Sequence, residues 1–332
     1  MTIEFEMLCL MMKLKILRHM NLGTKTLFLI VILVICSSFV VIASNANFSS
    51  TITESISSNG GSSSFMPSQN NTTTITNSVI VSRSNSGSQT QKISLPLYAA
   101  PSETWQWNQV DNSTPATGIL IINPDFGPGY SLNQGYASVV KGAQKSGIDV
   151  LGYVSTSYAD GSISVQTIEN QIEEWYSWYQ VDGIFFDEVN STCSIQNIAY
   201  YAALYNFTKL QLGPDLVVLN PGAPSQSCYG RISDILVTFE GDYSSYLDNY
   251  VTQNWTLAFP PSHFLQIIYN ATTMPQMQEA LSLATQRRAQ WVFVTDRPAI
   301  GVNALGTLPH YFCEEAQSVS HAATSCSSAI GP

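Results

Sequence analysis

The stretch GIFFDE, residues 183–188, decides the fold of this chain. An apolar run ends there in two adjacent carboxylates, Asp187 and Glu188. Because burial penalises the charged form of a carboxyl group, acids beside a core usually mark the point where a strand leaves it. Side chains alternate across a strand, so we expect only one of the two acids to face inward. The stretch predicts a strand that ends in a functional site, although an isolated Asp-Glu pair is more often a helix cap or a loop.

Seven other apolar runs share this character. The eight runs are residues 93–98 (ISLPLY), 118–123 (GILIIN), 148–154 (IDVLGYV), 183–187 (GIFFD), 216–220 (LVVLN), 235–240 (ILVTFE), 264–269 (FLQIIY) and 291–296 (WVFVTD). Segments with helical spacing separate them, for example Ile168, Ile172, Trp175 and Tyr179. Eight strands alternating with helices over about 240 residues predict an α/β fold of the (β/α)8 barrel type. A doubly wound sheet is the competing architecture.

Catalytic groups of such barrels lie at the C-terminal ends of the strands. Polar or aromatic residues end all eight runs: Tyr98, Asn123, Tyr153 or Thr156, Asp187 with Glu188, Asn220, Glu240, Tyr269 and Asp296. Glycoside hydrolysis commonly uses two carboxyl groups. Strands 4 and 6 lie two apart in a barrel, so their ends face each other, and we predict that Asp187 and Glu240 form the catalytic pair. Glu188 is either a further acid of the site or a partner of a neighbouring loop, whereas Glu240 has the alternative of starting a helix.

Substrate binding is predicted for the other strand-end residues and for two tryptophans. The candidates are Tyr98, Asn123, Tyr153, Asn220, Asp296, Trp105 and Trp107. We place the tryptophans in a loop beyond strand 1, where they either stack on sugar rings or pack the loop. Asp296 has Arg297 as an alternative partner, and we expect Asp125 to hold the backbone of its own loop. No phosphate-binding, nucleophile-elbow or zinc-binding motif stands out, so we expect neither cofactor nor metal.

The charge balance restricts the partners. From residue 93 onward there are 20 acidic and 7 basic residues, a net charge of −13. Such a field repels nucleic acid and anionic membranes and attracts a cationic substrate. Nucleic-acid binding is therefore excluded.

The first 91 residues differ in composition from the rest. Residues 1–26 form a basic N-terminal segment, and residues 27–44 contain the uncharged run LFLIVILVICSSFVVIA. This run predicts either a transmembrane anchor or a cleaved signal sequence. No basic residue follows it until Arg83, so we expect the remainder to lie outside the cell, anchored with the N-terminus inside or secreted. Residues 45–91, rich in Ser, Thr and Asn, predict a disordered stalk, and residues 92–332 the catalytic barrel.

Export from the cytosol has consequences for cysteine and asparagine. An even number of cysteines in the globular part suggests disulfides, and we predict the pairs Cys193–Cys228 and Cys313–Cys326. Sequons make the chain a potential glycoprotein. They lie at Asn47, Asn70, Asn71, Asn112, Asn190, Asn206, Asn254 and Asn270.

Four blocks of the sequence resemble a known family. They are LPLY at 95–98, INP with GPG at 122–129, GYVST with Tyr158 at 152–158, and GIFFDE at 183–188. In this order they are similar to the spherulation-specific family 4 (spherulin-4) pattern. The resemblance implies a (β/α)8 glycoside hydrolase similar to endo-α-1,4-polygalactosaminidases and to fungal enzymes that cut galactosaminogalactan. It implies Asp187 as the nucleophile and Glu240 as the acid/base. The alternative is a non-catalytic glycan-binding surface or coat protein that retains the barrel.

Overall fold

The computed structural model describes residues 90–211, 216–299, 304–320 and 326. The predicted basic segment, the anchor or signal and nearly all of the predicted stalk lie outside these residues. Among the helices that are described, none is both long and apolar enough to cross a bilayer.

Eight parallel strands close into a barrel in chain order, and the last strand pairs with the first. They are β1 (Lys92–Pro96), β2 (Thr117–Ile122), β3 (Asp149–Ser155), β4 (Gly183–Asp187), β5 (Leu216–Leu219), β6 (Ile235–Asp242), β7 (Phe264–Tyr269) and β8 (Trp291–Val294). Each strand coincides with one of the eight apolar runs. The predicted (β/α)8 barrel is confirmed, and the doubly wound sheet is wrong because the barrel leaves no sheet edge.

Helices surround the barrel and connect its strands. Those described are α1 (Thr104–Asp111), α2 (Gln134–Lys145), α3 (Val165–Glu174), α4 (Ile195–Lys209), α5 (Tyr243–Asp248), α6 (Met274–Gln286) and α7 (Phe312–Ser320). A π-helical turn, Trp175–Tyr179, continues α3 and buries both of its terminal aromatic rings. At the start of α6, Thr273 and Gln276 form a capping box, in which the side chain of each accepts from the backbone N–H of the other.

The stretch GIFFDE forms β4 and the residue after it. Phe185 and Phe186 are almost wholly inaccessible to solvent, and burying such a side chain contributes about 1.5–3 kcal/mol. Gly183 allows β4 to approach β5 closely, because a Cβ atom there would lie 2.1 Å from the carbonyl oxygen of Leu216. The strand thus runs through the core and emerges at Asp187, which pairs with Ser155 of β3.

An irregularity in β6 determines where Glu240 points. Val237 pairs with Leu265 of β7, and Glu240 pairs with Ile267, so two steps along β7 correspond to three steps along β6. The extra residue of this bulge reverses the alternation of side chains along the strand. As a result Glu240 shares the inward face of Val237, and Phe239 points outward against Tyr246.

Two disulfides join segments outside the sheet. Cys193 is bonded to Cys228 and Cys313 to Cys326, with Cα–Cα distances of 6.1 and 5.4 Å. The first fastens the segment after β4 to the segment before β6. Both pairings agree with the sequence prediction, which is confirmed.

Candidate active site

A cavity of about 650 Å³ opens where the C-terminal ends of the strands meet, an end that we call the mouth of the barrel. Its wall contains seven of the strand-end residues singled out from sequence. They are Tyr98, Asn123, Tyr153, Asp187, Asn220, Glu240 and Tyr269. Each of the parallel strands ends at the mouth. Side chains that lie up to 171 positions apart in the sequence are therefore brought together there.

The two predicted catalytic acids are joined through one amide group. The Nδ2 atom of Asn220 donates to Oδ1 of Asp187 at 2.8 Å and to Oε2 of Glu240 at 2.6 Å. The distance between those two carboxylate oxygens therefore cannot exceed the sum of the two donor–acceptor distances. Asn220 is almost fully buried, and its Oδ1 accepts from the backbone N–H of Gly222 at 3.0 Å. The amide is thus held in one orientation, with its donors on the acids.

Three tyrosines complete the polar part of the wall. The Tyr269 hydroxyl donates to Oε1 of Glu240 at 2.7 Å, and the Tyr153 hydroxyl is hydrogen-bonded to Asp187. The ring of Tyr98 packs edge-on against Tyr153, with centroids 5.9 Å apart. Burial first, and then the nearby carboxylates, raise the pKa of all three hydroxyls. They therefore keep their protons at neutral pH, and those of Tyr153 and Tyr269 are donated to the two acids.

Asp187 has the most perturbed carboxyl group of the mouth. Burial and the charge of Glu240 raise the pKa of Asp187 from 3.8 to about 6. Hydrogen bonds from the Glu188 backbone, Tyr153 and Asn220 act in the opposite direction, because they stabilise the charged form. Perturbed carboxyl groups of this kind concentrate at functional sites.

Glu188 does not belong to the cavity wall. Its Oε2 accepts a hydrogen bond from the Ser155 hydroxyl, and its backbone oxygen accepts from Tyr158 N–H at 2.6 Å. Of the two roles left open by the sequence, the structure shows the contact with the neighbouring loop. The side-chain alternation that predicted one inward acid holds, since Asp187 faces the mouth.

The predicted loop position of the two tryptophans is wrong. Trp105 and Trp107 lie on α1, and neither contributes to the mouth. Trp107 is buried, donates its indole N–H to Ala100 O at 3.0 Å, and lines a separate cavity of about 260 Å³ beside α2. Trp107 therefore packs a helix onto the barrel and is unavailable for stacking on a sugar.

Asp296 also lies apart from the wall of the mouth. Its carboxylate contacts His310 Nδ1 at 2.9 Å and Arg297 Nε at 3.5 Å. The predicted alternative, pairing with Arg297, is therefore present, together with a histidine that the sequence did not indicate. Substrate binding by Asp296 has no support in this arrangement.

The loop after β2 contributes residues to the cavity wall that the sequence did not identify as binding residues. Asn123 holds this loop, because its Oδ1 accepts from Gly127 N–H at 2.9 Å, and Asp125 instead lines the cavity. Phe126 lines it as well, with 82% of its surface exposed and a left-handed φ of 51°. A large aromatic side chain exposed beside a polar cavity is the available signal for a binding role.

A second, smaller cavity adjoins the mouth at Glu240. It measures about 280 Å³, and its wall includes Gly222, Asn249 and Tyr250 as well as Glu240. Glu240 is thus reachable from two sides. Within the described ranges, no group of three or more His, Cys, Asp or Glu side chains is arranged to hold a metal ion.

Comparison with known proteins agrees with this architecture. Spherulin-4 of Physarum polycephalum is 30% identical over 244 residues, which cover 70% of this chain and 71% of that protein. The crystal structure of Aspergillus clavatus Sph3 in complex with GalNAc superposes with a TM-score of 0.60 at 24% identity, over 70% of this chain and 98% of that one. The pattern of the spherulation-specific family 4 matches residues 92–316. The chain belongs to the spherulation-specific family 4.

Proposed function

We propose that the barrel is a glycoside hydrolase that cleaves an amino-sugar polysaccharide, of galactosaminogalactan or polygalactosamine type, with Asp187 and Glu240 as its carboxylate pair. The observation that carries the proposal is the Asn220 amide, which donates to both acids at 2.8 and 2.6 Å. Two carboxyl groups brought together over a cavity are what glycosidic cleavage requires. A protein that only binds glycans needs aromatic surfaces but gains nothing from paired acids, whose mutual repulsion costs stability.

The separation favours a retaining mechanism. Carboxyl groups of retaining glycosidases lie about 5–5.5 Å apart, and those of inverting enzymes about 6.5–9.5 Å. A single amide bridge keeps the facing oxygens within the shorter range.

The reaction then follows in two steps. The Asp187 carboxylate attacks the anomeric carbon while Glu240 gives its proton to the leaving glycosidic oxygen, so one C–O bond forms as the other breaks. Glu240 next takes a proton from water, whose oxygen displaces Asp187 and restores both acids. Asn220, Tyr153 and Tyr269 hold the carboxylates in place during both steps. This order of roles follows the family resemblance. The raised pKa of Asp187 by itself favours the opposite order, because a general acid must hold its proton at the working pH.

The charge of the cavity supports an amino-sugar polymer. Its wall contains the carboxylates of Asp125, Asp187 and Glu240 and, among the described residues, no Lys, Arg or His. Together with the net charge of −13 from residue 93 onward, this attracts a protonated amine. Aspergillus clavatus Sph3 was crystallised with GalNAc, itself an amino sugar. The second cavity beside Glu240 offers space for a neighbouring sugar, as cleavage within a polymer requires.

Location outside the cell is part of the proposal. It rests on the apolar run at 27–43, the Ser/Thr-rich segment after it and the two disulfides, since disulfides persist in oxidising compartments. The run then serves either as a membrane anchor or as a removable signal.

The test is hydrolysis of galactosaminogalactan and of its deacetylated form by the wild type, Asp187→Asn and Glu240→Gln. We expect the wild type to release oligosaccharides and both variants to lose at least 100-fold in kcat, about 2.7 kcal/mol in activation free energy. An activated aryl glycoside separates the roles, because it needs no proton on leaving. It should rescue glycosyl-enzyme formation in the variant of the acid, but not in that of the nucleophile. Proton NMR of the first product should show retention.

Equal release by the wild type and both variants would remove the two acids from the mechanism. Binding of the polymer by all three proteins without any release would instead establish the glycan-binding surface or coat protein as the function.

A further inference from the structure

The loop after β3 contains an unusual turn beside the mouth. Three consecutive residues other than glycine, Ser157, Tyr158 and Ala159, have left-handed φ values of 45°, 54° and 57°. Such a conformation is sterically unfavourable for L-residues and is rarely adopted in succession. The turn therefore persists only if surrounding contacts hold it.

Glu188 makes several of the contacts that hold this turn. Its backbone oxygen accepts from Tyr158 N–H at 2.6 Å and from the Thr156 hydroxyl at 2.8 Å. Its carboxylate accepts from the Ser155 hydroxyl, whose oxygen in turn accepts from Ser157 N–H at 3.2 Å. Glu188 is itself left-handed, with φ of 53°. The two strained segments therefore fix each other across the ends of β3 and β4.

A third contact closes the far side of the turn. The Nδ2 atom of Asn190, two residues beyond Glu188, donates to the Tyr158 carbonyl oxygen at 3.0 Å. Both the N–H and the C=O of Tyr158 are thus bonded to the segment that follows Asp187. A segment that only had to connect β3 with α3 would not need a tyrosine held by both of its backbone groups.

The side chain of Tyr158 is open to solvent. Half of its surface, 52%, is exposed. Tyr158 does not line the cavity, but its backbone is bonded to Glu188, the residue directly after Asp187. Burial and the charges of Glu188, Asp187 and Glu240 raise the pKa of its hydroxyl, in agreement with a place beside the mouth. An exposed aromatic ring on a fixed backbone is suited to stacking on the apolar face of a sugar, since the loop does not have to be ordered on binding.

We propose that Glu188 is a positioning residue, which acts through Ser155 and the left-handed turn to hold Tyr158 at the rim of the mouth as a platform for one sugar of the polymer. This inference deepens the proposed hydrolase function and rests on it. It gives a role to the second acid of GIFFDE that requires no proton transfer. Glu188 contributes to substrate affinity, and Asp187 and Glu240 alone exchange protons and bonds with the substrate.

Hydrogen–deuterium exchange tests the structural half without any substrate. In Ser155→Ala and Glu188→Ala, peptides that contain the Tyr158 amide should exchange about tenfold faster, the loss expected for one hydrogen bond. Glu188→Gln should exchange as the wild type does, because an amide oxygen still accepts from Ser155. The double variant Ser155→Ala/Glu188→Ala should not exceed Ser155→Ala, since that change already removes both the bond to Glu188 and the bond from Ser157 N–H. Unchanged exchange in all variants would overturn the proposal, whatever the protein hydrolyses.

Kinetics on the polymer test the functional half. We expect Ser155→Ala, Glu188→Ala and Tyr158→Ala to raise KM about tenfold, to change kcat less than twofold, and to leave the pH profile in place. Glu188→Gln should restore the wild-type KM. A large loss of kcat in Glu188→Gln would show that Glu188 transfers a proton and would overturn the proposal. If wild-type protein hydrolyses no polymer, the proposed function fails separately, and the exchange experiment still decides whether Glu188 holds the turn.

Discussion

Asp187 and Glu240 share a single hydrogen-bond donor, the side-chain amide of Asn220. Two carboxylates at this distance repel each other, and the charge of Glu240 is one of the causes that raise the pKa of Asp187 to about 6. The amide offsets part of this repulsion, because it stabilises negative charge on both acids at once. The mouth is therefore a place where folding stability is given up to keep two acids close together.

The first prediction concerns stability and pH in Asp187→Asn. The folded-state pKa of Asp187 is about 6, above the ordinary value of 3.8, so its stabilising contribution is present at low pH and is lost as the pH rises through this window. At 1.36 kcal/mol per pKa unit, the unfolding free energy of the wild type should fall relative to the variant by about 2 kcal/mol between pH 4 and pH 7. Urea unfolding of both proteins across this range measures the difference.

Asp160→Asn is the matched control for that experiment. Asp160 is exposed, and hydrogen bonds from Ser162 lower the pKa of its carboxyl group. Its stabilising contribution is therefore present at neutral pH and is lost as the pH falls, which is the opposite sign. A difference between wild type and Asp187→Asn that does not vary with pH would show that Asp187 is not destabilised by ionisation.

The second prediction concerns Asn220→Ala. The Asn220 hydrogen bond lowers the pKa of Asp187, so its removal should move the acid limb of the kcat/KM profile to higher pH. A hydrogen bond to a charged group contributes about 1.5–3 kcal/mol, and we expect kcat/KM to fall roughly 10–100-fold at the optimum. Rate profiles from pH 4 to pH 8 for wild type and variant provide the measurement. An acid limb that stays in place would mean that Asn220 does not tune Asp187.

Glu240 shows what the sequence alone can and cannot establish. Its place at the end of the sixth apolar run predicted a position at the mouth, and the structure agrees. Strict alternation from Val237, however, would put Glu240 on the outer face with the helices. Only the bulge restores its inward direction. A bulge depends on pairing with β7 and leaves no clear mark in the sequence of β6 itself, so the sequence identified the residue without explaining its orientation.

For the tryptophans, in contrast, the sequence itself contained the pattern that predicts their location. Gln106, Trp107 and Val110 are buried at helical spacing, a pattern that was present in the sequence and that predicts one face of a helix. Their place soon after a strand instead favours a loop, in which they either stack on sugars or pack the loop. The roles of Asn123 and Asp125 depend on a different kind of information. Which of two polar side chains in a turn holds the backbone is decided by the path of the loop, because both residue types form such bonds.

The third prediction concerns Gly183, the first residue of β4. In Gly183→Ala the added methyl group would lie 2.1 Å from the Leu216 carbonyl oxygen and 2.8 Å from Leu151 Cδ2. The first atom belongs to the backbone of β5, which is paired with β4 and cannot retreat alone. Such overpacking costs about 1–3 kcal/mol or more, and urea unfolding at neutral pH measures it.

Gly147→Ala is the control for the glycine experiment. Gly147 has φ of +88° and no atom within 4 Å of an added Cβ, so only the backbone conformation opposes the change, at about 1 kcal/mol. An equal cost for both substitutions would show that the contact between β4 and β5 is not the constraint at Gly183.

The last prediction tests the charge of the substrate at Asp125. This exposed carboxylate lines the mouth. Among the described residues, the cavity wall contains no basic side chain that could pair with it. A protonated amine of a deacetylated sugar would pair with it, and an exposed pair of this kind contributes about 0.2–1 kcal/mol. Asp125→Asn should therefore raise KM for the deacetylated polymer about two- to fivefold and leave KM for the fully acetylated polymer unchanged. The difference between the two polymers should shrink in 1 M salt, where the Debye length falls to about 3 Å. Steady-state rates on both polymers, at low and high salt, measure these effects. An equal rise of KM for the two polymers would show that Asp125 contacts the sugar or the loop without recognising its charge.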